Sequence, residues 1–242
     1  RTTPLNAAHR KLGGRMVEVS GGGYSSEGGI SAPADDPGLQ LLLKAGVLAS
    51  DAVIGRDGAR WFVKGDPTEG ALVVVAAKGG LNSEETRKNA PRVEEFPFSS
   101  ERKRMTTIHA MPDGRLIAFM KGAPEAVLER CASVQSGAAA VPLDDGERSR
   151  LLAVNESMAK DALRVLGIAY KELPRQARYS DERVEKDLVF LGYAGMMDPP
   201  REEAVEAVKV CRRVSIRPVM ITGDHQLTAV AVARQNGNFR EG

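Results

Sequence analysis

Runs of apolar residues, separated by polar or Gly- and Pro-containing segments, divide this 242-residue chain into predicted helices and strands. KRMTTIHAM and RLIAFMKG lie on either side of the turn sequence PDG and together predict a β-hairpin. ARWFVKG and LRVLGIAYKEL predict two more strands, and the Gly- and Ser-rich residues 10–35 predict a short strand followed by a loop. Helices are predicted at DPGLQLLLKAGVLAS, from Pro67 onwards, at NSEETRKN, from Pro124 to Arg130 and over residues 144–162.

The pattern changes near residue 187. There DLVFLGYAGMMD and IRPVMITGD predict strands, while REEAVEAVKVCRR and HQLTAVAVARQNG predict helices, an order that is typical of a parallel α/β unit. The charged stretch RQARYSDERVEKD before it predicts a domain boundary at about residue 186. We therefore expect residues 10–186 to fold alone as an α+β domain, an antiparallel sheet flanked by helices. Residues 187–242 are expected to form part of a second unit, with an apolar strand edge that is loosely held or paired with another copy.

Composition narrows the function classes. The 42% hydrophobic content supports a real core, and a net charge of +2 from 34 basic and 32 acidic side chains disfavours a general nucleic-acid or membrane-surface binder. Cys131, Cys211 and three scattered histidines form no metal or redox motif, and so few cysteines favour a reducing cytoplasmic setting. Apolar runs stay well short of the about 18 residues needed to span a membrane. Residues 1–9, RTTPLNAAH, are interpreted as a cloning or processing remnant.

The stretch KGDPTEGALV leaves two interpretations of Glu69. Asp66 is placed to cap a helix, Pro67 suits the first helical position, and Glu69 follows Asp66 at the spacing of a capping box. A structural role is sufficient to explain this glutamate. The alternative is that its carboxylate contacts a ligand, and the stretch alone favours the cap.

Four separated stretches are far more specific together than singly: KGDPTEGAL, FPFSSERKRM, MKGAPEAVLERC and MDPPREEAVEAVKVCRRVSIRPVMITGDH. In this order they resemble the nucleotide-binding domain of a P-type cation-transporting ATPase with part of its phosphorylation domain. The likeness is to the calcium, sodium and proton pump branch, because the His-Pro motif of the heavy-metal branch is absent. It implies ATP and Mg²⁺ as ligands and a partial haloacid-dehalogenase-like unit at residues 187–242. It also implies a parent membrane protein that transports cations, with this part on the cytoplasmic side.

The resemblance implies a set of nucleotide-binding residues. Phe98 is implied to stack on adenine, a contact that contributes about 1–3 kcal/mol per base, and Phe96 is either a core residue or a competitor for that role. Lys121 is implied to reach into the ATP pocket, with Gly122 permitting close backbone approach. Ser100 stands where some family members carry an arginine, which puts one phosphate contact in question. The other implied contacts are Lys103 near the phosphates, Met105 against the base, Arg164 on the polyphosphate and Glu69 on the exocyclic amine of adenine.

A second set of residues matches motifs of the phosphorylation domain. They are Asp198, Pro199, Pro200 and Arg201 of a DPPR element and Thr222, Gly223 and Asp224 of a TGD element. A Thr and an Asp at the carboxyl end of a parallel strand stand where α/β sheets place their ligands. The resemblance implies that these residues position the terminal phosphate and Mg²⁺, while His225 is given no catalytic role.

The expected activity is incomplete in these residues. Neither the DKTGT motif that carries the phosphorylated aspartate nor the GDGxNDxxAL element occurs in them, so we expect a fragment that binds ATP, has the rest of the same pump as its partner and is inactive alone. Two alternatives stay open. One is a soluble haloacid-dehalogenase-like phosphatase with a large cap, which needs a DxD or DxT nucleophile at a strand end. The other is a non-enzymatic nucleotide-sensing module. The transported ion is not predicted, because ion ligands lie in membrane helices.

Overall fold

The computed structural model describes residues 5–8, 16–21, 23–58, 60–161, 163–175, 178–196, 202–219 and 233. Its strands are β1 (Leu5–Ala8), β2 (Val53–Asp57), β3 (Arg60–Lys64), β4 (Arg92–Ser99), β5 (Arg104–Ala110), β6 (Leu116–Gly122), β7 (Cys131–Ser136), β8 (Ala139–Pro142), β9 (Arg164–Leu173) and β10 (Leu188–Met196). Its helices are α1 (Pro37–Leu48), α2 (Pro67–Lys78), α3 (Ser83–Asn89), α4 (Pro124–Leu128), α5 (Asp145–Lys160), α6 (Asp181–Val184) and α7 (Glu202–Arg213).

One mixed sheet organises these elements. Its strand order is β4-β5-β6-β9-β10-β7-β8, and β1 also pairs with β10. Among the described strands, β10 and β7 run parallel and the other neighbours run antiparallel. The predicted hairpin is β5–β6, and Gly114 in its PDG turn has a φ of 84°, which favours glycine. The α+β prediction is confirmed, with a mixed sheet in place of a purely antiparallel one.

Polar capping residues set where helices begin. Four side chains accept hydrogen bonds from backbone N–H groups of the first turn: Asp36 for α1, Asp66 for α2, Asn82 for α3 and Asp144 for α5. Pro37 and Pro67 open the first two of these helices, as the sequence predicts for Pro67. The Asp66 cap fixes the start of α2 at one end of the sheet, where the candidate site lies.

Helices cover both faces of the sheet. On one face α1 packs with β6, β9 and β10 and α2 packs with α1 and β10, and Leu42 and Phe119 belong to the same apolar cluster. On the other face α4 packs with β6, β9 and β10 and α5 packs with α4 and β9, and Leu151, Met120 and Phe190 belong to a second cluster. Successive residues of a strand point to opposite faces, so Phe119 and Met120 serve the two clusters from one strand. Within the described residues, no helix is both long and apolar enough to cross a membrane.

The strand β10 lies inside the main sheet. It pairs with β9 along Val189–Met196 and with β7 along Leu188–Phe190, and it buries Leu191 and Tyr193. The expectation that DLVFLGYAGMMD begins a separate α/β unit is wrong for this strand. An apolar run suits any strand that is covered on both faces, so the pattern alone does not assign it to one sheet or another.

The remainder of the predicted second unit is described only in part. The helix predicted at REEAVEAVKVCRR is present as α7. The residues expected to position the phosphate and Mg²⁺ (Asp198, Pro199, Pro200, Arg201, Thr222, Gly223 and Asp224) lie outside the described residues. Their roles and the haloacid-dehalogenase-like unit therefore stay predictions, as does the place where a second domain begins.

The charged stretch expected to be a linker packs against the sheet. It contains α6, and Val184 and Glu185 are buried. The Nζ of Lys171, on β9, donates to the carbonyl oxygens of Arg183 and Lys186, so the segment is tied to the sheet by its backbone. A sequence does not distinguish a buried charged residue, whose partner is distant in the chain, from a charged residue on the surface. The packing of this segment could therefore not be predicted from its charged residues.

Candidate functional site

A cavity of about 520 Å³ lies where the start of α2, the open end of the β5–β6 hairpin and the start of β9 meet. This volume is within the range of about 300–1,000 Å³ that is usual for small-molecule sites. All seven residues implied as nucleotide contacts line it: Glu69, Phe98, Lys103, Met105, Lys121, Gly122 and Arg164. Six further residues line the cavity that the resemblance does not imply as nucleotide contacts: Asp66, Thr68, Ala123, Pro124, Val165 and Leu166.

The Glu69 carboxylate has partners that neither sequence interpretation foresaw. Its Oε2 accepts hydrogen bonds from the backbone N–H groups of Asp51 (2.7 Å) and Ala52 (3.1 Å), and its Oε1 lies 2.7 Å from Nζ of Lys121. Asp66 performs the capping, while Glu69 ties the segment after α1 to the start of α2. Because these partners are 17, 18 and 52 residues away, local spacing could not identify them.

Lys121 is the buried cation of the cavity. Its side chain is 7% exposed, and besides Glu69 its Nζ donates to Oγ of Ser50 at 3.0 Å. Ser50 in turn donates to the carbonyl oxygen of Gly46 at the end of α1, at 2.7 Å. Burial lowers the pKa of Lys121 from its ordinary 10.5, and the carboxylate of Glu69 opposes that shift. The network therefore fixes a positive charge at the inner end of the cavity.

The aromatic residues of β4 divide between the core and the cavity. Phe96 packs against the apolar cluster of Ile108 and Leu116, whereas Phe98 is 61% exposed and lines the cavity. The register of β4 against β5 shifts between Phe96 and Ser99. A large exposed ring beside a cavity is available for stacking on a flat ligand. Ser100, the departure from the family pattern, is exposed in the turn that follows.

Lys103 ends that turn in a strained backbone conformation. Its φ is 54°, which is uncommon for a residue with a side chain. Its N–H donates to the carbonyl oxygen of Ser99 (2.7 Å), and its carbonyl oxygen accepts from the N–H of Ala123 (2.9 Å). These bonds hold the turn against the start of α4, with Lys103 on the cavity wall.

Arg164 and Met105 complete the wall. Arg164 Nη1 donates to Oγ1 of Thr68 at 3.3 Å, which links the start of β9 to the first turn of α2. Met105 is buried next to the cavity. The cavity thus receives three positive charges, from Lys103, Lys121 and Arg164. It also carries two carboxylates, those of Asp66 and Glu69.

Gly122 is required by the hairpin itself. It lies opposite Arg104, and a Cβ at this position would collide with the carbonyl oxygen of Lys103 and the Cβ of Arg104. The resemblance implied close approach of a ligand to Gly122. The structure shows close approach of β5 to Gly122, which leaves the ligand contact a prediction.

A second cavity, of about 260 Å³, lies on the other side of the segment after α1 and is lined in part by Arg87, Arg92 and His109. Arg87 Nη2 donates to the carbonyl oxygens of Ser50 and Ala52, so its guanidinium serves the backbone. Burial lowers the pKa of His109, and its Nδ1 lies 2.8 Å from the carbonyl oxygen of Ala90. Nowhere in the described residues do three or more His, Cys, Asp or Glu side chains form a group that could hold a metal ion.

Comparison with known proteins agrees with this architecture. Residues 38–203 match the family model described as P-type ATPase, cytoplasmic domain N. The chain is 37% identical to a calcium-transporting ATPase of Bacillus subtilis over 237 residues, and 39% identical to the cation-transporting ATPase pma1 of Synechocystis over 247 residues. These alignments cover 95% of this chain and 26% of each relative. It is also 36% identical to the sodium/potassium exporting P-type ATPase cta3 of Schizosaccharomyces pombe, over 85% of the chain and 20% of that relative.

The fold and the site thus define an α+β domain that has a cavity at the start of α2. The chain belongs to the family of P-type cation-transporting ATPases, and its matched part is the cytoplasmic N domain. It spans about a quarter of the length of the two bacterial relatives, 26% of each.

Proposed function

We propose that the cavity binds ATP. The observation that carries the proposal is the convergence of an exposed aromatic ring, Phe98, with three cationic side chains on one cavity of suitable volume. The flat base of a nucleotide can stack on the aromatic ring, and its polyanionic phosphate chain can be neutralised by the cationic side chains. Membership of the family supports a nucleotide as the ligand, and the lining of the cavity supports this cavity as its binding site.

The residues divide between the two ends of the nucleotide. Phe98 and Met105 supply the apolar surface for the adenine, and Met105 does so through a polarisable thioether. Lys103 and Arg164 are exposed on the wall and suit the phosphates, with Lys121 as the buried charge. Gly122 lines the cavity, and we propose that the nucleotide lies against its backbone.

The proposed role of Glu69 changes with the structure. A carboxylate offers about four lone-pair sites, and three of them are used by Asp51, Ala52 and Lys121. One site is left to accept a bond from the exocyclic amine of adenine. Holding Lys121 charged and in place is therefore the larger contribution that we propose for Glu69.

The proposed reaction belongs to the parent protein. The terminal phosphoryl group of ATP bound here would pass to an aspartate carboxylate of the phosphorylation domain, with ADP as the leaving group. Attack of water on that aspartyl-phosphate would then release inorganic phosphate and drive cation transport. Positioning and charge neutralisation are most of the catalysis in phosphoryl transfer. We propose Asp198, Arg201, Thr222, Gly223 and Asp224 for the terminal phosphate and Mg²⁺, with the N domain on the cytoplasmic side of the membrane and the rest of the pump as its partner.

The phosphatase alternative needs a nucleophilic aspartate, and the one DxT sequence at the end of a described strand is unsuited to that role. Asp66-Pro67-Thr68 follows β3, which belongs to a two-stranded antiparallel hairpin and not to a parallel sheet. The Asp66 carboxylate accepts bonds from the N–H groups of Thr68 (2.7 Å) and Glu69 (3.2 Å), which is capping geometry. A nucleotide sensor would use the same cavity, and only the remainder of the parent chain distinguishes it.

Replacing Phe98 tests the proposed base contact. Wild-type affinity for ATP is expected in the high micromolar to millimolar range, about −4 to −6 kcal/mol, because half of the phosphate apparatus lies elsewhere. Phe98→Ala is expected to weaken binding by about 1–3 kcal/mol, the contribution of a base–aromatic stack. Thermal stability is expected to change little, since the ring is exposed. Calorimetric titration with ATP measures the first effect and scanning calorimetry the second.

The matched control is Phe62→Ala. Phe62 is also an exposed ring, 45% accessible, but it lies on the separate β2–β3 hairpin and outside the cavity. ATP affinity is expected to be unchanged in this variant. Equal affinities of Phe98→Ala and wild type would refute the proposed base site.

A further inference from the structure

Glu185 is a buried carboxylate that lies outside the cavity. It is 1% exposed, and its two oxygens are both engaged. Oε1 accepts from Nη1 of Arg102 (2.7 Å) and from Oγ1 of Thr106 (2.7 Å), while Oε2 accepts from Nε of Arg104 (2.7 Å). A buried carboxylate with two guanidinium partners is strongly held, because removing its charge leaves the partly buried side chains of Arg102 and Arg104 without this partner.

Arg102 lies in the turn that carries cavity residues, and Arg104 follows the turn directly. Arg102 and Arg104 stand on either side of Lys103, and Arg104 Nη1 also donates to the carbonyl oxygen of Arg102 at 3.0 Å. Arg102 reaches back as well: its Nη2 donates to the carbonyl oxygen of Pro97, immediately before Phe98. Glu185 is therefore connected, through one or two hydrogen bonds, to the backbone on both sides of the segment from Phe98 to Lys103.

This turn needs external support. Lys103 has a positive φ, and most residues from Phe98 to Lys103 are exposed, so few buried apolar contacts hold them. The Arg102 N–H donates to Oγ of Ser99 at 3.1 Å, which is a local bond, while the carbonyl oxygen of Lys103 accepts from the N–H of Ala123 and ties the end of the turn to the start of α4. The bonds to Glu185 tie it to a segment 81 to 83 residues further along the chain.

We propose that Glu185 is a positioning residue for the nucleotide cavity. Through Arg102 and Arg104 it fixes the turn so that the ring of Phe98 and the ammonium group of Lys103 both face the same ligand. This inference rests on the proposed function, because it assigns Glu185 to the same ATP site. It adds a residue that touches neither the cavity nor the ligand and that lies in a segment the sequence marks as a linker.

A purely structural role for Glu185 is the competing explanation. The segment of Glu185 has another anchor, since Nζ of Lys171 binds the carbonyl oxygens of Arg183 and Lys186. Neutralising Glu185 therefore releases the turn without releasing the segment's backbone. The two explanations differ in what happens at Phe98 and Lys103.

The test compares Glu185→Gln and Arg102→Gln with a control, Glu172→Gln. Glu172 is an exposed carboxylate on β9 that pairs with Arg115 away from the turn. In the ligand-free protein, Glu185→Gln is expected to shift the amide resonances of residues 98–103 and to speed their hydrogen exchange. ATP affinity is expected to fall by about tenfold, within the range for residues that act on a site without contact. Arg102→Gln is expected to reproduce the pattern, and Glu172→Gln to leave both measurements unchanged.

Two results separate this inference from the proposed function. If wild-type protein fails to bind ATP, the proposed function is wrong, and the amide shifts of the ligand-free variants still decide whether Glu185 positions the turn. If Glu185→Gln and Arg102→Gln lower the melting temperature but leave the amides of residues 98–103 and the ATP affinity of the folded protein unchanged, Glu185 is only a structural residue. Arg102→Gln, whose side chain is partly exposed, decides the question if Glu185→Gln does not fold.

Discussion

A chain that ends at residue 186 is expected not to fold, whereas a chain that ends at residue 203 is expected to keep the fold. The difference is β10, which pairs with β9 on one side and with β7 and β1 on the other. It buries Phe190, Leu191 and Tyr193. Burying one large apolar side chain contributes about 1.5–3 kcal/mol, and a whole domain is stable by only about 5–15 kcal/mol.

The comparison is made by far-ultraviolet circular dichroism and urea unfolding. The chain ending at residue 203, where the family match ends, is the matched control because it differs by β10 and a few residues after it. Its unfolding is expected to be cooperative. Cooperative unfolding of the chain ending at residue 186 would contradict the placement of β10 in the main sheet and would restore the boundary first expected from the sequence.

Lys121→Met is expected to abolish measurable ATP binding and to destabilise the fold. Methionine keeps most of the length of the side chain but removes the buried charge, so Glu69 loses its charged partner while it is only 16% exposed. Breaking a buried ion pair costs about 3–5 kcal/mol, and we expect the lower part of that range because Asp51 and Ala52 still bind Glu69. Urea unfolding and calorimetric titration with ATP measure the two effects.

Two further variants make this result specific. Lys64→Met removes an exposed lysine on β3, outside the cavity, and is expected to change neither quantity. Glu69→Gln is expected to lower both ATP affinity and stability. If Glu69 only contacted the ligand, the stability would not change. In the double variant the losses of stability are expected to be less than additive, because both changes remove the same pair. Additive losses would show that Glu69 and Lys121 act independently.

The pH dependence of ATP affinity follows from the same lysine. Burial lowers the pKa of Lys121 below its ordinary value of 10.5. The charged form is the one that attracts phosphate, so affinity is expected to be retained at low pH and lost as the pH rises through the lowered pKa, before 10.5 is reached. The Lys121→Met variant lacks this group and is not expected to show that loss.

Local features of the fold could be predicted from the sequence because their causes are local. The Asp66 cap, the Pro67 start and the β5–β6 hairpin each depend on residues within a few positions of one another. The cavity residues were identified by family motifs, from which their roles were inferred without any knowledge of their contacts. The structure brings those residues to one cavity, and their contacts with a nucleotide stay a proposal.

Features that depend on distant partners were not predictable. The strand β10 is an apolar run that gives no indication of its neighbours, and the hairpins β2–β3 and β7–β8 went largely unrecognised, because their short strands have weak alternation. The carboxylate of Glu69 binds residues on another loop and another strand. Glu185 looks like one more charge in a charged stretch, although both of its oxygens are bound inside the protein.

Mapping ATP onto the amide resonances of the wild-type protein tests the central claim most directly. We expect shifts to concentrate at the start of α2, at residues 98–105, at residues 121–124 and at the start of β9, with affinity in the high micromolar to millimolar range. Adenosine is expected to shift the amides around Phe98 and Met105 and to leave those near Lys103 and Arg164 largely unchanged. The absence of shifts at several millimolar ATP, or shifts confined to the second cavity around Arg87 and His109, would contradict the proposed site.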